Sequence, residues 1–277
     1  MNRLFLPDYD LNMTLLGGQA FNWDFNPAEE SYLGFTQNKL IKLKKQNETL
    51  FWQTYPHADD IDFLRKYLRL DADYKNILNK IQKDKHIKTA IKQCPNIRLL
   101  RQDFDQTLLS FLISSNNNIK SIRKIIRSMC MKFGKQIKVN GDMFYLFPET
   151  EAIAEANLQS LLECKLGFRA KFLKGAARYI LEKNLDKKIH KMDENTSREF
   201  LIGINGVGNK IADCVLVFSL GFDNVTPLDV LGKRFLTRFY KLNPKMKYED
   251  MRTWIDNYFE GYAGWAGQFL YEYIRIL

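Results

Sequence analysis

The chain of 277 residues has no apolar run approaching the roughly 20 residues that a bilayer span requires. The longest candidate, Ile211 to Phe222, is interrupted by Asp213 and Ser219, so no membrane span is expected. The opening MNRLFLPDYD lacks the apolar h-region and small-residue cleavage site of a signal peptide, which points to a cytoplasmic, nucleoid-associated protein. Cysteine is scarce. Cys94, Cys130, Cys164 and Cys214 are far apart and form no C-x-x-C pair for zinc or an iron–sulfur cluster. A chain of this size needs no disulfide staples, so free thiols are expected, and no metal or organic cofactor. Solenoid repeats and low-complexity tracts are missing as well. Acidic residues are in deficit: 32 Asp and Glu stand against 42 Lys and Arg, a formal charge of +10. The excess suits a polyanionic partner, nucleic acid first and an anionic membrane surface second.

What is present is 45% apolar residues, enough for one large domain or two ordinary ones. Residues 30 to 55 alternate apolar and polar side chains around Asn, Gly and Gln breaks, as half-buried antiparallel strands do. From Asp59 the period changes, with apolar residues three and four apart behind Asp caps, which predicts helices. After Pro95 the chain reads as helical over 104–115, 118–133, 151–164, 168–183, 195–203, 208–220, 229–240 and 248–276. The expected fold is α+β: a twisted antiparallel sheet with flanking helices over 1–97, then an all-α domain over 98–277. The boundary falls in the Gln93 to Arg98 stretch around Pro95.

Positive charge is concentrated in two places. Lys120, Arg123, Lys124 and Arg127 share one helical face, with Ile122, Ile126 and Met129 on another. Lys165 to Lys191 carries nine Lys or Arg against Glu182 and Asp186. Such runs serve either as solvated surface or as phosphate contacts.

The most informative stretch is LIGINGVGNKIADCVLVFSLGF. Gly206-Val207-Gly208 separates two helices in a tight turn whose backbone N–H groups suit an anion. It is not a P-loop, since Asn209 stands at the Lys position, and a plain interhelix turn is the alternative. Lys210 lies in the first turn of the following helix, where the positive dipole end disfavours a second cation and favours the uncharged, nucleophilic amine. Cys214 is on the same helical face. Nineteen residues beyond Lys210, Pro227 breaks the chain and Asp229 takes an N-cap position. A capping carboxylate stays ionised, so capping is compatible with stabilising a developing cation.

At these residues the sequence resembles the helix-hairpin-helix DNA glycosylases, most closely the 8-oxoguanine DNA glycosylase/AP lyase branch. GGQAFNW at 17–23, FLISSNNNI at 111–119, LGFRAKFLKGAARYIL at 166–181 and GYAGWA at 261–266 are similar to that branch's ordered motifs around the GVGNKIADC core. The resemblance implies a monomeric base-excision enzyme that acts on damaged double-stranded DNA, flips a nucleotide out and attacks the sugar C1′ with Lys210. It implies that Asp229 stabilises the sugar cation and that Gly18 offers its carbonyl to the N7–H of 8-oxoguanine. It implies that Cys214 and Tyr271 sandwich the base and that Asn116 fills the vacated space. Phe168 would intercalate, Arg169 would read the orphaned cytosine, and Gly206, Val207 and Gly208 would hold the DNA backbone. Outside this family, Phe168 and Tyr271 would be read as core aromatics and Asn116 as a helix cap.

Departures from the family pattern sharpen the reading. Ser121 replaces the second cytosine-reading Arg, so opposite-base preference should be relaxed. The base-reading Gln falls on Gly267, with Gln268 one residue later, a turn of about 100° on a helix. Leu231 replaces a His, and Asn205 a Pro of the hairpin. A glycosylase with another lesion preference, or a non-catalytic DNA-binding module, are the alternatives. A pure binder needs neither Lys210 nor Asp229.

Overall fold

A computed structural model describes residues 1–36, 38–56 and 61–277. The N-terminal part comprises β1 (Asn2–Phe5), α1 (Leu11–Leu16), β2 (Trp23–Asn26), β3 (Ser31–Thr36), β4 (Lys39–Gln46) and β5 (Thr49–Tyr55). The five strands form one antiparallel sheet in the order β1-β5-β4-β3-β2. The alternation read from the sequence is realised in β5, where Leu50, Trp52 and Thr54 face inward. Left-handed Asn47 closes the β4–β5 hairpin, with Gln46 opposite Thr49.

The helices α2 (Ile61–Tyr67), α3 (Tyr74–Ile81) and α4 (Lys85–Gln93) follow. Asp73 and Asp84 cap the latter two by accepting from Asn76 N and from His86 N and Ile87 N. The expected helix start at Asp59 lies outside the described residues.

The C-terminal part holds α5 (Phe104–Ile113), α6 (Ile119–Phe133), β6 (Gln136–Val139), β7 (Asp142–Tyr145), α7 (Thr150–Glu155), α8 (Leu158–Glu163) and α9 (Arg169–Lys183). It continues through α10 (Leu185–Lys188), α11 (Glu194–Ile202), α12 (Asn209–Val215), α13 (Val230–Phe239), α14 (Tyr248–Phe259) and α15 (Ala263–Ile276). Three stretches differ from the uninterrupted helices that periodicity suggests. Asn157 caps a second helix within 151–164 by accepting from Ser160 N. Glu260 and Gly261, both at positive φ, split 248–276. Leu216–Leu220 continues α12 as a π-helical turn that stops at left-handed Gly221. A β6–β7 hairpin also stands inside the helical part, turned by Asn140 and Gly141 at φ 52° and 95°. The Asn-Gly pair was its signal.

Two main cores and a small third one, in which Leu40 meets Ile137, Val139 and Leu146, are found among the described residues. One lies under the sheet and contains Leu15, Trp23, Ile41, Leu43, Leu50, Trp52, Leu64 and Tyr67. The larger core joins α5–α15 and includes Ile77, Ile81, Ile87 and Ala90 of α3 and α4. Helices N-terminal to residue 97 therefore pack with the C-terminal half. Polar ties cross between the halves as well: Arg69 makes a two-pronged ion pair with Asp223 at 3.1 and 2.9 Å, and Arg101 N donates to Tyr67 O at 2.9 Å. No helix among the described residues is long and apolar enough to cross a membrane.

Candidate active site

A cleft of about 730 Å³ opens between the Gly17–Gly18 segment, the 114–119 loop, the α11–α12 hairpin, the 226–230 loop and α15. Gly18, Asn116, Gly206, Gly208, Lys210, Cys214, Asp229, Gln268 and Tyr271 all line it. Of the site residues expected from the sequence, Phe168, Arg169 and Val207 do not.

The hairpin is built on two glycines with different duties. Gly206 has φ 93°, and a Cβ there would sit 2.7 Å from Phe172 Cγ. Gly208 is extended and has open space around it. Val207 between them faces inward, its side chain in the core and its N–H donating to Ile204 O at 3.0 Å. That N–H is thus engaged within the hairpin. The N–H groups of Gly206 and Gly208 have no acceptor among the described residues.

Lys210 is half-buried at the second position of α12, with Nζ 5.0 Å from the centre of the Phe111 ring. Cys214 follows one turn later. Burial pushes its thiol up to about 12, with the Lys210 cation pulling the other way, so it is a neutral, packable wall at physiological pH. Asp229 does cap α13, its Oδ1 accepting from Gly232 N at 2.9 Å. Its charge adds to the burial that holds both Cys214 and Tyr271 in their neutral, protonated forms. The loop that carries Asp229 is tied down by Tyr248, whose hydroxyl accepts from Leu228 N at 3.2 Å and donates to buried Asp213 at 2.5 Å. Arg198 and Arg252 clasp the same Asp213.

On the opposite wall Gly18 adopts φ 91°, and a Cβ would approach Tyr271 Oη to 3.1 Å. No described group donates to the Gly18 carbonyl. The next residue anchors the segment: Gln19 donates to Thr14 O at 3.0 Å and Arg98 O at 2.8 Å, and accepts from Leu100 N at 2.8 Å. Sequence reading quoted Gln19 inside its motif without assigning it this task. It also passed over Phe21, Phe111 and Thr226 as cleft walls, and over Glu272, a fully packed acid beside Gln268.

The residues expected to face DNA separate. Asn116 is exposed at φ 48° and caps nothing; Asn118 caps α6 by accepting from Ser121 N at 2.9 Å. Phe168 is 57% exposed, so it is not a core aromatic. Arg169 donates to Ser115 O at 2.8 Å, Leu166 O at 3.3 Å and Asn116 O at 3.1 Å. These carbonyls engage Nε, Nη1 and Nη2, so the guanidinium braces the Asn116 turn. On α6, Lys120 and Lys124 are exposed, Arg127 pairs with Asp24, and Arg123 is half-buried with Nε and Nη2 unpartnered. All four cysteines are free and buried.

Residues 4–108 match the family described as 8-oxoguanine DNA glycosylase, N-terminal domain, and residues 109–260 match the HhH-GPD superfamily of base excision DNA repair proteins. The chain belongs to this superfamily, in its 8-oxoguanine DNA glycosylase branch. An N-glycosylase/DNA lyase of Saccharomyces cerevisiae is 30% identical over 270 residues, covering 86% of this chain and 70% of the relative. A namesake in Arabidopsis thaliana is 26% identical over 94% of this chain and 76% of its own length. Among solved structures, the Clostridium acetobutylicum 8-oxoguanine glycosylase/lyase, in complex with DNA containing cytosine opposite 8-oxoguanine, superposes with a TM-score of 0.90. It shares 30% identity over 97% of this chain and 92% of that one. Membership fits the two-part architecture, the hairpin before Lys210 and the cleft that Lys210 lines.

Proposed function

We propose that the protein is a DNA glycosylase and AP lyase that excises 8-oxoguanine from duplex DNA through a Schiff base on Lys210, with relaxed preference for the opposite base. The observation that carries this reading is the convergence of Gly18, Lys210, Cys214, Asp229 and Tyr271, from four separate stretches of chain, on one cleft. The names of the yeast and Clostridium relatives support it.

The glycosidic carbon is out of reach inside stacked DNA, so the nucleotide must be flipped, at a cost of a few kcal/mol. Exposed Asn116 lines the cleft and suits filling the gap, exposed Phe168 suits wedging the duplex, and the free N–H groups of Gly206 and Gly208 suit a phosphate. The base then lies between the Cys214 thiol and the Tyr271 ring, with the Gly18 carbonyl accepting the N7–H that distinguishes 8-oxoguanine from guanine. An acceptor without a partner there penalises the undamaged base.

Uncharged Lys210 attacks C1′, the glycosidic bond breaks, and its electron pair leaves with the base, which takes up a proton. Opening of the sugar ring yields the imine. Loss of a C2′ proton then expels the 3′ phosphate with its electron pair, and water releases the enzyme. Asp229, held at the N-terminus of α13 by Gly232 N, stabilises the positive charge that develops on the sugar. Ser121 has no guanidinium to offer, and Arg169 is engaged with the backbone, which supports relaxed reading of the orphaned base.

Borohydride trapping on an 8-oxoguanine duplex tests this. The wild type should form a covalent adduct and Lys210→Gln none. An adduct that survives the substitution removes Lys210 from the role, and DNA binding without any adduct points to a non-catalytic module. Comparable excision opposite C, A, G and T is expected; a strict need for C would refute relaxed pairing.

A further inference from the structure

The C-terminal wall of the cleft holds a chain of polar side chains that the mechanism above does not use. Gln268 is only 5% exposed, yet it lines the cleft beside Tyr271. Its Nε2 donates to Glu272 Oε1 at 3.2 Å, one turn further along α15. Arg275 Nη1 donates to the other carboxylate oxygen, Oε2, at 2.6 Å, so Oε1 is left for Gln268. The glycine pair makes room for this arrangement: a Cβ on Gly17 would lie 2.5 Å from Glu272 Oε1.

A side-chain amide has one donating and one accepting end. With the donating end committed to Glu272, the accepting Oε1 remains, and no described residue donates to it. We infer that Glu272 is a positioning residue for lesion choice: through Gln268 it presents an acceptor to the flipped base and selects purines that carry N1–H and a 2-amino group. This rests on the glycosylase reading above. A guanine-type edge supplies both donors, whereas a base lacking the 2-amino group leaves a buried acceptor under-used.

The protonation of Glu272 supplies a second handle. Burial pushes its carboxyl up to about 8 against the pull of Arg275. Asp10 at the cap of α1, Cys94 at the end of α4 and Tyr271 on α15 also face it. Ionised, it accepts from Gln268 Nε2. Protonated on Oε1, it must donate instead, which turns the amide round and offers Nε2 to the base. Selection is therefore strongest on the alkaline side.

The test compares single-turnover excision of 8-oxoguanine with that of 8-oxohypoxanthine, the same base without its 2-amino group, in otherwise identical duplexes at pH 9. Both rates come from one preparation, so the active fraction cancels, and the difference in unpairing cost is common to every variant. The ratio of the two rates in the wild type should exceed that of Glu272→Leu roughly tenfold. Gln268→Leu should lower the ratio equally, the double variant no further, and the wild-type ratio should fall at pH 6.5. A Glu272→Leu enzyme that keeps the wild-type ratio overturns the proposal. A wild type inactive on both lesions overturns the glycosylase reading itself.

Discussion

The Gly17–Gly18 and Gly206–Gly208 pairs both shape the cleft, and they use the missing side chain for different ends. At the first pair, space is the constraint: a Cβ on Gly17 would meet Met13 O at 2.2 Å, and Gly18 sits at φ 91° against Tyr271. At the second pair the demands divide. Gly206 needs its left-handed backbone and its contact with Phe172, while Gly208 is extended with nothing within 4 Å. Under the proposed function, close packing secures the wall that reads the base, and open access serves the wall that binds the DNA backbone. A glycine motif thus has two meanings that only its surroundings distinguish.

That contrast can be broken by substitution. Gly17→Ala should have the largest effect, a loss of about 3–4 kcal/mol in chemical denaturation, because a backbone oxygen cannot move aside as a flexible side chain does. Wild-type stability after this change would show that α1 gives way and that the wall is not tightly built. Next comes Glu272, packed against Gly17. Its folded carboxyl holds a proton up to about 8, whereas the unfolded one releases it near the ordinary glutamate value of 4.5. The folded state therefore binds more protons in that window, and stability falls as pH rises through it. Glu272→Gln should reduce this fall by roughly 2–3 kcal/mol between pH 5 and pH 9. Identical pH profiles would mean that the carboxyl is not buried in solution.

The hairpin should respond more weakly. Gly206→Ala forces a left-handed alanine against Phe172, and about 2 kcal/mol of destabilisation is expected together with weaker DNA binding. Gly208→Ala should leave stability within about 0.5 kcal/mol of the wild type while weakening affinity for any duplex, damaged or not. Binding titrations on lesion and plain DNA check this. A loss confined to lesion DNA would move Gly208 from the backbone-binding wall to the base-reading one.

Much of this architecture is legible along the chain because its signals are local. Asp73, Asp84 and Asp229 announce helix starts through bonds that reach two or three residues, and all three caps form. Alternation marks the sheet residues. The β6–β7 hairpin and the split of 248–276 were harder, since each depends on one short turn inside an otherwise helical period. The site divides similarly. Lys210 and Asp229 stand out through position on their own helices. The engagement of Arg169 with the carbonyls of Ser115 and Asn116 spans more than 50 residues and has no local trace. The inward turn of Val207 likewise depends on what packs beneath it.

The amino-acid order by itself determined the elements, the caps, the positive-φ turns and the motif carrying an amine in the first turn of a helix, because those choices depend on neighbours within a few residues. Only the tertiary structure decided that residues 18, 116, 210, 229 and 271 share one cleft, that Arg169 is occupied, and that Glu272 is sealed against Gly17 and Gln268. Burial and unsatisfied hydrogen bonds are properties of surroundings assembled from distant stretches, and no local pattern encodes them.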